Sequence, residues 1–221
     1  MKVLFIGNSH TYYNDMTRMF SDLANANGHA VEVDTVTRGG WILHDYLDVE
    51  NEHSQKLDRL SKEGNFDLCF LQEQALTPVK DYAMFADGVK RICDKLAGRV
   101  GKFMLYETFG WHDDFYRMAE YGLTWCGMAE ATTKAYQKLS EELGIAVSYA
   151  GSNFCRVRRE RPELPMFRDD GVHATYEGSC LIALTHYYSV FGELPRDTSA
   201  LELPEELRAY FLQIVGDTYG K

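Results

Sequence analysis

Four short polar segments of this 221-residue sequence contain the residue types that acyl-transfer chemistry requires. In chain order they are Gly7-Asn8-Ser9, Arg38-Gly39-Gly40-Trp41, Gln72-Glu73-Gln74 and Asp169-Asp170-Gly171-Val172-His173. A serine hydroxyl becomes a nucleophile when a histidine accepts its proton, and that histidine needs a carboxylate to fix its tautomer. Asp170 lies three residues before His173, so one turn of local structure can bring its carboxylate to the imidazole.

The oxyanion that develops during acyl transfer also needs preorganised hydrogen-bond donors. We expect three of them, namely the backbone N–H groups of Ser9 and Gly40 and the side-chain amide of Gln72. Each such donor contributes about 2.7–4 kcal/mol of transition-state stabilisation. A glycine at position 40 lets its amide approach a substrate closely, because no Cβ intervenes.

Taken singly, each segment has a plainer interpretation. Gly-Asn-Ser is often only a turn that leads into a helix cap, and Gly39-Gly40 is common in turns. A DxxH pattern also occurs by chance, and His173 could simply hydrogen-bond a backbone carbonyl. The catalytic interpretation depends on the order of the four segments, each of which lies just after a predicted strand or just before the last long helix.

Short apolar runs alternate with helical patterns along the chain. The predicted strands are 2–6, 31–36, 66–71, 102–106 and 145–149. The predicted helices are 79–97, 127–143, 176–191 and 204–216, with another that Asn14 or Asp15 caps and that runs through Met16, Met19, Phe20 and Leu23. This alternation predicts a three-layer α/β/α domain over 1–221, with a flavodoxin-like parallel sheet of order 2-1-3-4-5.

The predicted strand order explains how distant segments can form one site. Ligands of open α/β sheets bind beyond the carboxyl ends of the strands, near the point where the strand order reverses. The order 2-1-3-4-5 brings the loops after the first three strands together at that point. The long stretch 107–126 is the predicted insertion or lid.

Composition excludes several classes of partner. The formal net charge of −10 and the pI of about 5.2 argue against nucleic acid or an anionic membrane as the main partner. The five cysteines are odd in number, scattered and without a CxxC pair, which favours reduced thiols. The apolar run near the N-terminus is too short for a signal peptide, and no stretch has membrane-spanning length, so we expect a cytoplasmic protein.

The same segments resemble the SGNH (GDSL-like) hydrolase superfamily over nearly the whole chain. GNSHT stands at the position of that family's Gly-Asp-Ser block, RGGW at its glycine block and DDGVH at its Asp-x-x-His block. More narrowly, the sequence is similar to a bacterial subgroup in which a glutamine replaces the Gly-x-Asn-Asp block. The stretches that carry this similarity are FIGNSHT, RGGW, FLQEQAL and RVRRERPELPMFRDDGVHATYEGS.

The resemblance implies Ser9 as the nucleophile, His173 as the base and Asp170 as the residue that orients it. Ser9, Gly40 and Gln72 would form the oxyanion hole, and no metal or organic cofactor is expected. Two assignments stay open, namely Gln74 in place of Gln72, and Gly39 in place of Gly40.

The favoured function is therefore a serine esterase that hydrolyses a small acyl ester, with acetyl implied by the superfamily, of a carbohydrate or other small molecule. One alternative is an acyltransferase that uses the same triad. The other is a non-catalytic α/β domain that binds a small ligand, although the first loop lacks the GxGxxG and Walker patterns. The acyl chain, the alcohol, the pathway and the oligomeric state stay open.

Two further features have competing interpretations. A basic cluster precedes DDGVH and either contacts an anionic sugar group or forms a solvated helix face; it consists of Arg156, Arg158, Arg159 and Arg161. His10 is a second candidate base beside Ser9, but adjacent side chains on a turn usually point apart.

Overall fold

Five parallel strands form one sheet in the order β2-β1-β3-β4-β5, which confirms the predicted fold class and topology. The structure, a computed structural model, describes residues 1–220. The strands are β1 (Lys2–Gly7), β2 (Glu32–Thr37), β3 (Phe66–Leu71), β4 (Val100–Tyr106) and β5 (Ala146–Ser148). Each observed strand overlaps a predicted one. Buried apolar runs mark the central strands β1 and β3, whereas β2 lies at the edge of the sheet and is only partly buried.

Helices connect the strands and cover both faces of the sheet. They are α1 (Ser9–Tyr12), α2 (Met16–Ala26), α3 (Asp45–Asp48), α4 (Glu52–Glu63), α5 (Thr77–Lys80), α6 (Tyr82–Lys95), α7 (Tyr116–Glu120), α8 (Trp125–Leu143), α9 (Ala150–Glu160), α10 (Tyr176–Phe191) and α11 (Glu205–Tyr219). A single 3-10 turn, Tyr13–Asp15, joins α1 to α2.

The alternation of side chains along each strand supplies two separate hydrophobic cores. In β1, Val3 and Phe5 pack with α2, α9, α10 and α11 on one face of the sheet. Leu4 and Ile6 point to the other face and pack with α4, α6 and α8. All four side chains are fully buried, so β1 is a central strand held from both sides.

The strand register places the ends of the first three strands side by side. Gly7 is paired with Thr37 of β2, and Ile6 is paired with Leu71 of β3. A Cβ at Gly7 would clash with Thr11 Oγ1 and with the side chain of Gln72, so the chain needs glycine at this point. The carboxyl edge of the sheet therefore brings three loops together around the end of β1.

Three helical predictions needed correction. The predicted helix 79–97 is divided into α5 and α6, because Asp81 leaves helical geometry and its carboxylate caps α6 by accepting from Met84 N–H. Helices α4 and α9 were missed. Leu57 is the one buried apolar side chain in α4, so the apolar pattern there is weak. In α9, Ala150, Phe154 and Val157 form a buried stripe, but charged residues dominate the second half of the helix.

The stretch 107–126, the predicted insertion or lid, has its own packing. A third hydrophobic cluster joins Trp111, Met118 and Trp125 to Ala75 and Leu76, which follow β3. The backbone N–H of His112 in this stretch also donates to Gly171 O. Within residues 1–220, none of the helices combines the length and the apolar character that crossing a bilayer requires.

Candidate active site

Ser9 occupies the first position of α1, directly beyond the end of β1. Asn8 caps this helix, because its Oδ1 accepts from the backbone N–H of His10 at 3.2 Å. The first N–H groups of a helix have no intrahelical acceptor, so the Ser9 N–H can donate to a bound group. The Ser9 residue is 8% exposed and is thus almost enclosed by its neighbours.

Ser9, His173 and Asp170 form a continuous chain of hydrogen bonds. Ser9 Oγ lies 2.8 Å from His173 Nε2, and His173 Nδ1 lies 2.8 Å from Asp170 Oδ2. A carboxylate only accepts, so Nδ1 carries the imidazole proton and Nε2 is free to accept the serine proton. The predicted nucleophile, base and orienting carboxylate are therefore brought together.

The loop that carries Asp170 and His173 is held in part by its own hydrogen bonds. Asp170 Oδ1 accepts from the backbone N–H groups of Val172 at 2.8 Å and His173 at 2.9 Å. Burial alone would raise the pKa of Asp170, but the hydrogen bonds from the backbone and imidazole of His173 and from Val172 lower it below its ordinary value. Asp170 therefore stays ionised at neutral pH.

Two aromatic rings contact the imidazole of His173. Tyr13 stacks on it with ring centroids 3.9 Å apart and planes 9° apart. His10 meets it edge-on at 6.0 Å and stacks on Phe109. Burial, with a further effect from His173, lowers the pKa of His10 to about 3, so His10 stays neutral and packs within the core of the site.

Gln72 stabilises the turn that carries Ser9 through hydrogen bonds. Its side chain is 1% exposed, and its Oε1 accepts from Asn8 N–H at 2.7 Å and from Thr11 Oγ1 at 2.9 Å. Its Nε2 donates to Glu73 O at 2.5 Å. Because the oxygen of this amide faces the turn, Gln72 presents an acceptor there, and an acceptor does not stabilise an oxyanion.

Gln74 differs from Gln72 in its amide nitrogen. Its Oε1 accepts from the backbone N–H groups of Leu76 at 2.7 Å and Thr77 at 3.3 Å, at the start of α5. Among residues 1–220, its Nε2 has no hydrogen-bond acceptor, and the residue is half-buried. Of the two glutamines, Gln74 is thus the one whose amide nitrogen has no acceptor among these residues.

Glu73 links the loops after β2 and β3. One carboxyl oxygen accepts from Gln74 N–H at 2.6 Å, and the other accepts from Leu43 N–H at 3.1 Å. The side chain is fully buried, and this burial raises its pKa to about 8 against the lowering effect of the two hydrogen bonds. Glu73 therefore fixes the spacing between the Gln74 backbone and the loop that contains Gly40.

Gly40 lies in an exposed turn close to the nucleophile. Its φ of +76° is the left-handed conformation that glycine adopts freely, and a Cβ there would meet no other atom. Asn8 Nδ2 donates to Trp41 O at 2.9 Å and so joins this turn to the serine turn. A Cβ at Gly39 would instead lie 2.9 Å from the Tyr12 hydroxyl.

The basic cluster of α9 is dominated by intramolecular contacts. Arg156 pairs with Glu160 and Asp217, and Arg161 pairs with Glu163. The guanidinium of Arg158 lies over the rings of Trp125 and Phe167, at 4.4 and 5.1 Å from their centroids. Of the two interpretations of this cluster, these contacts favour a helix face that balances the acidic surface over a contact with the substrate.

Sequence reasoning assigned no role to Glu73 or Tyr13. A carboxylate directly after an apolar strand is a usable signal, since a buried acid needs specific donors. The contact of Tyr13 with His173 joins residues that are 160 positions apart, and nothing in the local sequence around Tyr13 indicates it.

Comparison with known proteins identifies the fold. No family model and no curated protein matches the sequence. Among solved structures, a DUF4886 family protein from Bacteroides uniformis superposes with a TM-score of 0.78 at 15% identity, covering 100% of this chain and 95% of the other. A proposed SGNH hydrolase from Slackia heliotrinireducens gives 0.75 at 20% identity, covering 86% and 98%.

An acetylxylan esterase from Geobacillus stearothermophilus, Axe2, gives a TM-score of 0.65 at 14% identity, covering 89% of this chain and 96% of the other. Identities this low establish the fold and not the activity. The chain has the α/β fold of the SGNH hydrolases.

Proposed function

We propose that this protein is a serine esterase that hydrolyses a small acyl ester, with acetyl as the favoured acyl group, through an acyl-enzyme on Ser9. The observation that carries the proposal is the chain of two 2.8 Å hydrogen bonds from Ser9 through His173 to Asp170. This is the arrangement that activates a serine hydroxyl at neutral pH.

In the first step, Ser9 Oγ attacks the ester carbonyl carbon while its proton moves to His173 Nε2. The electron pair of the carbonyl π bond moves to the carbonyl oxygen, which becomes an oxyanion. Asp170 stabilises the imidazolium that forms, without itself taking the proton. The lowered pKa of Asp170 suits this role, because the carboxylate has to stay charged.

The oxyanion is stabilised by donors that are in place before the substrate binds. We assign the backbone N–H groups of Ser9 and Gly40 and the side-chain Nε2 of Gln74 to this role. Gln72 holds the serine turn instead, since its Oε1 accepts from Asn8 N–H. Each donor is worth about 2.7–4 kcal/mol of transition-state stabilisation.

In the second half of the reaction, the intermediate collapses and the alcohol leaves with the proton from His173 Nε2. Water then attacks the acyl-enzyme and passes a proton to the same nitrogen. The second tetrahedral intermediate expels Ser9 Oγ, which recovers its proton from His173. The carboxylic acid is released and the free enzyme is restored.

Support for a small acyl group comes from the comparison with Axe2, which is described as an acetylxylan esterase. An acetylated sugar or another small acetyl ester is accordingly the substrate class that we propose. A direct test measures p-nitrophenyl acetate turnover by the wild type and by Ser9→Ala. We expect the variant to lose activity by a factor of about 10⁴ or more. A variant that keeps the wild-type rate would refute the mechanism.

A further inference from the structure

Asn14 occupies an unusual backbone conformation between the nucleophile helix and α2. Its φ of 54° and ψ of 26° lie in the left-handed region, and the next residue, Asp15, has φ 55° and ψ 36°. Residues other than glycine adopt this region rarely, and two in succession are costly. Such a conformation persists only where the surrounding contacts require it, and it is typical of functional sites.

The hydrogen bonds of the Asn14 amide hold the residue in this conformation. Its Nδ2 donates to the backbone oxygens of Ala174 and Thr175, both at 3.0 Å, and lies 2.8 Å from Ser179 Oγ. Two carbonyl acceptors fix which way the amide is turned, because an amide oxygen could not bond to them. Asn14 thus joins the turn after Ser9 to the chain that directly follows His173.

Tyr13 extends the same connection to the imidazole itself. Its ring stacks on His173, while Asp170 holds Nδ1 and Ser9 holds Nε2 of that ring. Asn14 is the next residue, so its hydrogen bonds hold the backbone that carries the Tyr13 ring. The imidazole is therefore constrained at both nitrogens and on one face.

We propose that Asn14 is a positioning residue for the acid–base half of the site. It fixes the backbone after His173 and, through Tyr13, the plane of the imidazole against Ser9. The kinetic consequence rests on the proposed esterase function, whereas the geometric consequence does not. A displacement of about 1 Å in such a site can cost about 100-fold in rate.

The test replaces Asn14 with glycine. Glycine adopts a positive φ without penalty, so Asn14→Gly removes the three amide contacts and leaves the turn free to keep its backbone conformation. The matched control is Asp15→Gly, because Asp15 has the same conformation and makes no side-chain hydrogen bond to cap α2. Chemical denaturation of both variants measures any loss of stability.

For p-nitrophenyl acetate, we expect Asn14→Gly to lower kcat by about 10- to 100-fold with KM changed by less than about threefold. Asp15→Gly should keep the wild-type constants. An equal loss of kcat in both variants, or a wild-type kcat in Asn14→Gly, would overturn the proposal.

A second readout does not depend on activity. We expect the proton that His173 Nδ1 donates to Asp170 to give a low-field NMR resonance, which its absence in Asp170→Ala would assign. We expect Asn14→Gly to shift or broaden this resonance and Asp15→Gly to preserve it. An unchanged resonance in Asn14→Gly would contradict the positioning role. A wild type without esterase activity would refute the proposed function alone, because the resonance still tests the geometry.

Discussion

The two halves of the proposed site are held in different ways. The turn that carries Ser9 is buried and is attached to the sheet through Asn8, which bonds to Gln72 and to Trp41 O. The loop that carries His173 is more exposed and depends on bonds within itself, on the amide of Asn14 and on His112 N–H, which donates to Gly171 O. The ends of the strands thus position the nucleophile, whereas an exposed loop with a few contacts to other segments positions the base.

This difference predicts whether a substitution on each side of the site lowers stability or the reaction rate. Side chains under the serine turn are buried polar groups, so their loss leaves unpaired donors and lowers stability. Side chains that face the substrate contribute little to stability, so their loss mainly lowers the catalytic rate. On the proposed assignment, the two glutamines that follow β3 belong to opposite categories, although only one residue separates them.

The largest expected effect among these residues is on catalysis, at Gln74. Gln74→Glu keeps the oxygen that accepts from Leu76 N–H but replaces the donating Nε2 with a carboxylate oxygen. We expect kcat for p-nitrophenyl acetate to fall by at least about 10²- to 10³-fold, as for other oxyanion-hole donors, with the urea midpoint unchanged. A wild-type kcat in this variant would show that a different residue donates the side-chain hydrogen bond to the oxyanion.

A smaller effect, on stability, is expected at Gln72. Gln72→Ala leaves the buried N–H of Asn8 and the hydroxyl of Thr11 without their acceptor. We expect the free energy of unfolding to fall by about 2–4 kcal/mol in urea denaturation. The control is Gln55→Ala on the exposed face of α4, which should change it by no more than about 0.5 kcal/mol. Equal stabilities of the two variants would contradict the assignment.

A third effect is expected in the pH dependence of stability, at Glu73. Its native pKa of about 8 is above that of an unfolded glutamate, so the native state binds more protons than the unfolded state between these values. The stability should therefore fall as the pH rises from about 4.5 through 8. Urea midpoints at several pH values should show a shallower decline in Glu73→Gln. If stability declined with pH equally in the wild type and in Glu73→Gln, Glu73 would not titrate in this pH range.

The fold could be predicted well from sequence, and the site could be predicted in part. Buried strands such as 66–71 are apolar apart from one exposed residue, Asp67, and their alternation with helices permits few topologies. Sequence could also predict that Asp170 lies near His173, since DxxH brings a carboxylate close to its histidine by local geometry alone, and the structure has that hydrogen bond.

The orientation of the glutamines could not be predicted in this way. Whether the oxygen or the nitrogen of Gln72 faces the serine turn depends on Asn8 N–H, which is 64 residues away in the sequence. The contacts of Asn14 with Ala174 and Thr175 span even longer separations. Local patterns contain no information on such partners until the tertiary structure is known.

Covalent labelling of the folded protein with a fluorophosphonate, mapped by peptide mass spectrometry, tests the central claim most directly. The expected result is one adduct per chain on Ser9, no adduct in Ser9→Ala and greatly slowed labelling in His173→Ala. An adduct on a different residue of the wild type, or no adduct at all, would contradict the account of Ser9 as a nucleophile that His173 activates.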